Sequence, residues 1–387
     1  MSKALEAVFN AVSEPDIAET GGSHGLKGSE FQKNWAIVEM FSLYQQVGRD
    51  DFMLLFEAIQ DVAVLDSATD PKSIDIVQVK KKDRGEWAWG ALTNLHTPAD
   101  PAKATGKKSA GKTKPLSGIS ESPIGKLFTA MAALSALQTS ARFVSNAGCN
   151  IDLEVGGSAA AAERALCSEL APHFRMLLTS ALDAVRKPGQ APSDLSKTRL
   201  DKVDISVTTP SDKSLSAATS YLLKNSPSHA GQATAFVDSI LVKLGPLGAH
   251  TSRCSTFAEL VQKQGFGMAQ FRSALADLDQ TPDLEAFFNE WLDEARRTGL
   301  SLMEATRVRT AFTAIYRRML TAASLPDEPA VVAACEKWID ANSNFEPLHA
   351  WLAGGVAQIE VDFPSMKTHE LRAHLLLRAI YRCVDQN

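Results

Sequence analysis

The chain has 387 residues, of which 45% are hydrophobic and 22% are charged. This is the composition of an ordinary globular protein, and it excludes a chain that is disordered throughout or collagen-like. The formal net charge is −5, from 40 lysines and arginines against 45 aspartates and glutamates. A protein that grips nucleic acid over its whole surface is basic, so any contact with DNA or RNA must come from a local patch or a partner.

The cysteine pattern and the first residues predict a soluble protein of the cytoplasm. The five cysteines form no C-x-x-C pair, which argues against a disulfide framework and against a zinc ribbon. Acidic residues occur where a secretory signal has basic and then apolar residues. The longest nearly apolar stretch, residues 127–137, is far shorter than the ~20 residues that span a bilayer. We therefore expect no membrane association.

The N-terminal half has the pattern of an α+β domain. Three short strands in close succession favour an antiparallel meander over parallel β-α-β units. From hydrophobic periodicity, the predicted strands are 52–56, 62–65, 74–79, 141–145 and 203–207. The predicted helices are 2–13, 29–46, 123–138 and an alanine-rich helix at about 158–186.

Composition divides the chain further. Between residues 97 and 122, Pro, Ala, Gly, Ser and Lys dominate, which predicts a mobile basic loop. The helices predicted beyond it are 215–224, 232–243, 255–264, 268–277, 282–297, 301–321, 328–341 and 367–385. We thus expect an N-terminal arm at 1–20, an α+β domain at 21–210 that contains the loop, and a helical assembly or regulatory domain at 211–387.

One acid, one amide and one lysine form the strongest candidate site. Asp61 stands where the second strand begins, and Gln78 and Lys80 lie two apart at the end of the third, so both point to one face. Mg²⁺ prefers oxygen ligands, and it acidifies a bound water that a neighbouring lysine can orient. This set is typical of phosphodiester hydrolysis, although the same letters also occur at solvated strand ends. Further candidate ligands are Glu57 and Glu30.

The order of these elements and residues resembles the restriction-endonuclease-like PD-(D/E)xK fold. More narrowly, residues 20–210 resemble a bacterial antiphage defence nuclease family that occurs as the nuclease of CBASS effectors and as the partner of HerA-type ATPases. The similar segments are Gly28-Ser29-Glu30-Phe31-Gln32, the pair Glu57 and Asp61, Ile76-Val77-Gln78-Val79-Lys80, and residues 122–127 and 143–146.

This resemblance implies an endodeoxyribonuclease that depends on Mg²⁺ or Mn²⁺. Asp61 and Gln78 would hold the metal, Glu30 or Glu57 would assist, and Lys80 would position or activate the attacking water. Gln78 departs from the general fold, in which Glu is commoner, and a neutral amide binds Mg²⁺ more weakly. A nuclease-fold subunit that binds DNA but has little activity therefore stays open as an alternative.

The same resemblance implies a partner. A cyclic-nucleotide sensor would bring further α/β segments, whereas residues 213–387 have a helical pattern. The HerA-partnered form is therefore favoured over the CBASS effector. It implies a complex in which a hexameric HerA-like ATPase scaffolds several copies of the nuclease and feeds DNA to them.

Two further basic segments each have more than one interpretation. Residues 106–113 match the phosphate-loop pattern G-x-x-x-x-G-K-[ST], but no strand precedes them and no helix follows at once. Lys107, Lys108 and Lys112 are predicted instead to contact DNA phosphates or to lie in a solvated loop. Lys81 and Lys82, followed by Trp87 and Trp89, indicate either a DNA contact or a charged turn before core tryptophans. His24 and His96 are the histidines nearest the proposed site in sequence.

Overall fold

The computed structural model describes residues 2–14, 26–46, 50–99, 115–247, 254–280, 284–320 and 325–384. The chain forms two compact units: one comprises Met1–Tyr221 and Ser239–Ala274, and the other comprises Leu222–Asp238 and Leu275–Asn387. The first unit is built around a mixed sheet, and the described part of the second contains helices and no strand. The predicted fold class, an α+β N-terminal domain followed by a mostly helical half, is confirmed.

The first half of the chain alternates between helices and short strands. In chain order these are α1 (Lys3–Ser13), α2 (Leu26–Tyr44), β1 (Met53–Phe56), β2 (Val62–Leu65), β3 (Ser73–Lys80), β4 (Trp87–Ala88), α3 (Trp89–Thr93), a 3-10 turn (Leu116–Glu121), α4 (Pro123–Ala133), β5 (Gln138–Ser145), β6 (Cys149–Asn150), β7 (Arg164–Leu166), α5 (Pro172–Val185) and β8 (Thr198–Lys202).

The second half is helical apart from one short strand. It consists of α6 (Ser211–Asn225), α7 (Ala233–Leu244), α8 (Phe257–Gln264), β9 (Gly265–Gly267), α9 (Met268–Gln280), α10 (Leu284–Arg297), α11 (Leu302–Leu320), α12 (Glu328–Ala341), α13 (Leu348–Ile359) and α14 (Thr368–Val384). Each helix predicted beyond residue 211 is present, and α13 was not predicted. No helix in the described part of the chain is long and apolar enough to cross a membrane.

A sheet with the strand order β7-β8-β5-β3-β2-β1-β9 organises the first unit. β1, β2 and β3 form the predicted antiparallel meander, whereas β3, β5 and β8 run parallel. The carboxyl ends of the parallel strands therefore meet at one edge, where Lys80 pairs with Ser145 and Ser145 pairs with Lys202. Every residue of β1 and β2 is buried, which explains their continuous apolar sequences.

Three residues at the start of α4 each have a structural role there. Ser122 Oγ accepts the Gly125 N–H at 3.0 Å, and Pro123 occupies the first helical turn, where its missing N–H costs nothing. A Cβ atom on Gly125 would lie 1.8 Å from the carbonyl oxygen of Ile119. The 3-10 turn therefore packs directly on the backbone of α4. The loop predicted at 97–122 is therefore structured at its end, where residues 116–121 form this 3-10 turn. Residues 100–114 of the predicted loop lie outside the described part.

Two predicted elements are wrong. The strand predicted at 203–207 lies five residues earlier in the chain, as β8. The partner of β8 is β5, which ends at Ser145, and the N–H of Val203 makes the last hydrogen bond to it, at 2.8 Å to the Ser145 carbonyl. The helix predicted at 158–186 begins only at Pro172. The alanine run at 159–162 lies in a turn, and Arg164–Leu166 after it form β7, which pairs with β8.

β9 was not predicted; it adds a strand to the side of β1 that faces away from β2. The short Gly-Phe-Gly sequence has no strand pattern of its own. Both glycines are needed, because a Cβ on Gly265 would lie 2.6 Å from the Val261 carbonyl oxygen and one on Gly267 would lie 2.8 Å from that of Phe52. Close backbone packing, rather than β propensity, therefore places this strand.

Candidate active site

Asp61, Gln78 and Lys80 come together at one end of the meander. β2 pairs with β3 so that Val62 lies opposite Val77, and continuing the register by one residue places Asp61 opposite Gln78. Lys80 is the last residue of β3 and points to the same face as Gln78. The three side chains that the sequence predicted as neighbours are thus brought to one place.

The carboxylate of Asp61 is almost fully buried, and both of its oxygens have donors on β3. Oδ2 accepts the main-chain N–H of Val79 at 2.7 Å, and Oδ1 lies 3.1 Å from Lys80 Nζ. Asp61 is 1% exposed, whereas the side chain of Lys80 is 24% exposed. Two donors, one of them charged, compensate for the burial of the carboxylate, and the ammonium group keeps access to solvent.

A tight hairpin presents Asp61 to β3. Glu57 N–H donates to the main-chain carbonyl of Asp61 at 3.0 Å, so residues 58–60 form the loop between them. Gln60, the last loop residue, has φ of 56°, the left-handed conformation that the final position of a three-residue hairpin loop adopts. From α2, Gln32 Nε2 donates to the same Asp61 carbonyl at 2.7 Å. Two donors on one carbonyl hold the hairpin at the position of Asp61.

Gln78 presents a buried amide oxygen at this site. Its side chain is 4% exposed, and its Nε2 donates to Gln60 Oε1 at 3.2 Å. Its Oε1 is buried and receives no hydrogen bond from any residue in the described part of the chain. A buried acceptor without a donor is unusual and points to a bound group that the protein itself does not supply.

The other predicted ligands lie in different environments. Glu57 is half-buried beside the hairpin and has φ of 52°. Glu30 is exposed on the first turns of α2, two positions before the buried Gln32. Residues two apart on a helix differ by about 200° around its axis, so Glu30 and Gln32 leave α2 on different sides. Gly28, the start of the same motif, lies half-buried in the first turn of α2.

A metal at this site would have few protein ligands. The described residues contain no group of three or more His, Cys, Asp and Glu side chains arranged to hold an ion. The donors that fit a hard cation are the Asp61 carboxylate and Gln78 Oε1, which is the orphaned acceptor. Mg²⁺ is commonly held by one or two carboxylates, with waters and substrate phosphates completing its shell. The donor set therefore fits such an ion.

The two lysines after Lys80 lie in an ordered charged turn. Lys81 Nζ lies 3.1 Å from Asp83 Oδ1, and Lys82 Nζ donates to the Glu86 carbonyl at 2.6 Å. The side-chain amide of Asn146 bonds both the N–H and the C=O of Lys82, each at 2.8 Å. Both lysine ammonium groups thus have acidic or carbonyl partners within the turn.

The aromatic residues that follow support the interpretation of a turn before a core. Trp89 is 2% exposed and donates its indole N–H to the His96 carbonyl at 2.9 Å. Trp87 is partly buried, donates to Ser145 Oγ at 2.8 Å and has Lys82 Nζ 4.7 Å from its ring centroid. Lys107, Lys108, Lys112, His24 and the phosphate-loop match at 106–113 lie outside the described residues.

Sequence reasoning missed two residues that hold the site, Gln60 and Asn146. Gln60 bonds Gln78 from a left-handed position in which glycine is favoured, so nothing in its residue type indicated a role. Asn146 follows β5 and clamps the segment after Lys80 from a distance of 64 positions in sequence. Asn146 belongs to the segment 143–146 that resembles the nuclease family, but its residue type and position after a strand indicated no specific role.

A family model described as "Cap4, dsDNA endonuclease domain" matches residues 20–243, which is more than half of the chain. The match includes the meander with Asp61, Gln78 and Lys80, and it ends within α7. No curated protein and no solved structure matches the chain.

Proposed function

The chain belongs to the family of the Cap4 dsDNA endonuclease domain, and from this we propose that it is an antiphage defence nuclease that hydrolyses double-stranded DNA with a divalent cation. The observation that carries the proposal is the arrangement of Asp61, Lys80 and Gln78. A buried carboxylate lies 3.1 Å from an ammonium group, beside a buried amide oxygen that no described residue supplies with a donor. An acid, an oxygen donor and a lysine at one edge suit phosphodiester hydrolysis.

The proposed cation is Mg²⁺ or Mn²⁺, held by Asp61 and Gln78 with help from Glu57 or Glu30. Of these two, Glu30 is the weaker candidate, because it leaves α2 on a different side from Gln32. Such an ion polarises a phosphoryl oxygen and lowers the pKa of a bound water. Asp61 also positions Lys80, because its Oδ1 accepts a hydrogen bond from the Lys80 ammonium. Lys80 would hydrogen-bond the attacking water or a phosphate oxygen and offset the charge that develops in the transition state.

Two of the proposed DNA contacts follow Lys80 in the chain. Lys81 and Lys82 follow Lys80 directly, and Asn146 fixes the main chain of Lys82. Their present partners are a carboxylate and a carbonyl, which DNA phosphates would have to replace or share. Lys107, Lys108 and Lys112 are proposed as additional phosphate contacts on the basis of their sequence alone.

We further propose that the nuclease acts as an oligomer within a complex with a HerA-like hexameric ATPase. The support is the family resemblance, the net charge of −5, and the absence of strands from the described part of the second unit. A net acidic chain benefits from a partner that supplies part of the grip on DNA. The CBASS-type effector and the weakly active binding subunit are the alternatives.

Plasmid cleavage by the full-length protein tests the site. Asp61→Asn and Lys80→Met should each lower the rate about 100-fold or more in Mg²⁺ or Mn²⁺, and chelation should abolish cleavage. The matched controls are Asp70→Asn and Lys72→Met, which change an exposed ion pair of the same residue types in the turn between β2 and β3. Variants of the site that cut as fast as these controls would overturn the assignment.

The partner is tested in the same assay. Cleavage that rises when a HerA-like ATPase from the same source is added, together with co-elution of the two proteins, would support the complex. Stimulation by cyclic oligonucleotides without the ATPase would favour the CBASS alternative. No cleavage under any of these conditions would leave the binding subunit as the better description.

A further inference from the structure

Gln60 occupies a backbone conformation that its residue type does not favour. It closes the three-residue loop before Asp61 with φ of 56°, a position at which hairpins of this kind carry glycine. Strain of this sort persists where the surroundings fix the residue, and it is concentrated at functional sites. The side chain of Gln60 supplies the reason for this conformation.

The side chain of Gln60 is buried and has one well-defined contact in the site. It is 3% exposed, and its Oε1 accepts the Nε2–H of Gln78 at 3.2 Å. A glycine would relieve the backbone and remove this acceptor. Glutamine at this position therefore has a less favourable backbone conformation than glycine would have, but it makes a hydrogen bond to Gln78 that glycine cannot make.

That hydrogen bond decides which end of the Gln78 amide faces the site. When Nε2 is turned toward Gln60, Oε1 must point the other way, and Oε1 is the buried acceptor without a donor in the described part of the chain. Lys80 lies on the same face of β3, and a cation bound beside Asp61 would lie there too. An amide that turned its NH₂ group toward these charges would repel them, whereas its oxygen attracts them.

We propose that Gln60 is a positioning residue that locks the Gln78 amide with its oxygen toward the metal. The inference rests on the proposed function, since it presupposes a cation at Asp61 and Gln78. It also accounts for the use of Gln at position 78. An amide has one ligating oxygen and needs an orienting partner, whereas a carboxylate offers an oxygen in either orientation.

The test is Mn²⁺ binding to the full-length protein, measured by calorimetry without DNA. Gln60→Gly should weaken Mn²⁺ binding about tenfold while changing the melting temperature little, because relief of the strained backbone offsets the lost buried hydrogen bond. Gln60→Asn, which tolerates the left-handed conformation but is too short to reach Gln78, should weaken binding similarly. Asn94→Gly is the control, since Asn94 has φ of 55° elsewhere in the same unit and should leave Mn²⁺ binding unchanged.

The decisive comparison is made in a Gln78→Glu background. A carboxylate needs no orientation, so Gln60→Gly should then change Mn²⁺ affinity less than twofold. An equal loss in both backgrounds would show that Gln60 acts on the hairpin as a whole, and an unchanged affinity in the Gln78 background would show no role; either result overturns the inference. If the parent protein binds no Mn²⁺, the proposed metal site itself fails.

Discussion

Gln32 of α2 donates its side-chain amide to the main-chain carbonyl of Asp61 at 2.7 Å, across 29 positions of sequence. The carbonyl also accepts the N–H of Glu57 at 3.0 Å. Gln32 is 7% exposed, so water does not compete well for this bond. The helix therefore fixes where the hairpin lies on β3, and with it the carboxylate that holds Lys80.

Replacing Gln32 by Ala should disturb the site more than it disturbs the fold. We expect the free energy of unfolding to fall by about 1–2 kcal/mol, the usual cost of a lost buried hydrogen bond. The cleavage rate should fall about tenfold or more, because small displacements of a catalytic group are costly. Gln45→Ala, in the exposed turn after α2, is the control for plasmid cleavage and urea unfolding. A destabilised Gln32→Ala protein with normal cleavage would contradict the positioning role.

Arg142 of β5 is the centre of a buried charge cluster with Glu39 and Asp75. Its guanidinium donates to Glu39 Oε1 at 2.8 Å, contacts the Asp75 carboxylate and lies 5.5 Å from the ring centroid of Trp35. Burial acts to lower the pKa of Arg142, but the negative charges of Glu39 and Asp75 together outweigh it and raise the pKa. The arginine therefore stays charged, and it supplies the positive charge that compensates for the burial of the Glu39 and Asp75 carboxylates.

Arg142→Met should lower the free energy of unfolding by about 3–5 kcal/mol, because it leaves two largely buried carboxylates without their countercharge. Lys72→Met removes one member of an exposed pair, with a lysine side chain that is 72% exposed, and should cost less than about 1 kcal/mol. Urea denaturation followed by circular dichroism compares the two proteins. Equal stabilities would show that the Arg142 cluster is not a stabilising element.

Gly125 should tolerate no side chain. The nearest atom to an added Cβ is a main-chain oxygen, 1.8 Å away, and no rotamer change can move it. Gly125→Ala should therefore force the 3-10 turn away from α4 and cost about 3 kcal/mol or more. Gly118→Ala, in the turn itself, meets its nearest atom at 3.4 Å and is the control. Thermal melting of both variants measures the difference, and similar melting temperatures would refute the close packing.

His374 gives the helical unit a dependence on pH. It is 1% exposed on α14, and its Nε2 lies 3.9 Å from Glu328 Oε1. Burial lowers the pKa of the imidazole to about 4; Glu328 and Glu370 oppose this shift, while Arg378 and Arg318 add to it. In the unfolded chain the pKa is near its ordinary value of 6.5. The unfolded state therefore binds more protons than the folded state between these two values.

It follows that the contribution of His374 is complete above about pH 6.5 and is lost as the pH falls toward 4. Between pH 7 and pH 5 this group should remove about 2 kcal/mol of stability. His374→Gln should flatten this part of the pH profile of denaturation midpoints, whatever its effect at pH 7. His369→Gln, on the same helix but only partly buried, should keep the slope of the parent. Identical slopes for the parent and His374→Gln would refute the assignment.

The sequence by itself determined the features that depend on local pattern. Short apolar runs in close succession predicted the meander, and a strand places every second side chain on one face, so Gln78 and Lys80 had to lie together. An antiparallel neighbour then brought Asp61 to them. The amphipathic helices beyond residue 211 followed from their own periodicity for the same reason.

Tertiary structure decided where strands begin and end and which distant residues form hydrogen bonds. β8 stops where β5 stops, although the alternating pattern continues, because a strand needs a ladder partner. The alanine run at 159–162 lies in a turn and not in a helix, because Arg164–Leu166 directly after it pair with β8 as β7. Gln60 and Asn146 acquired their roles in the same way. Hydrogen bonds between residues far apart in sequence depend on the folded backbone, and no local pattern encodes them.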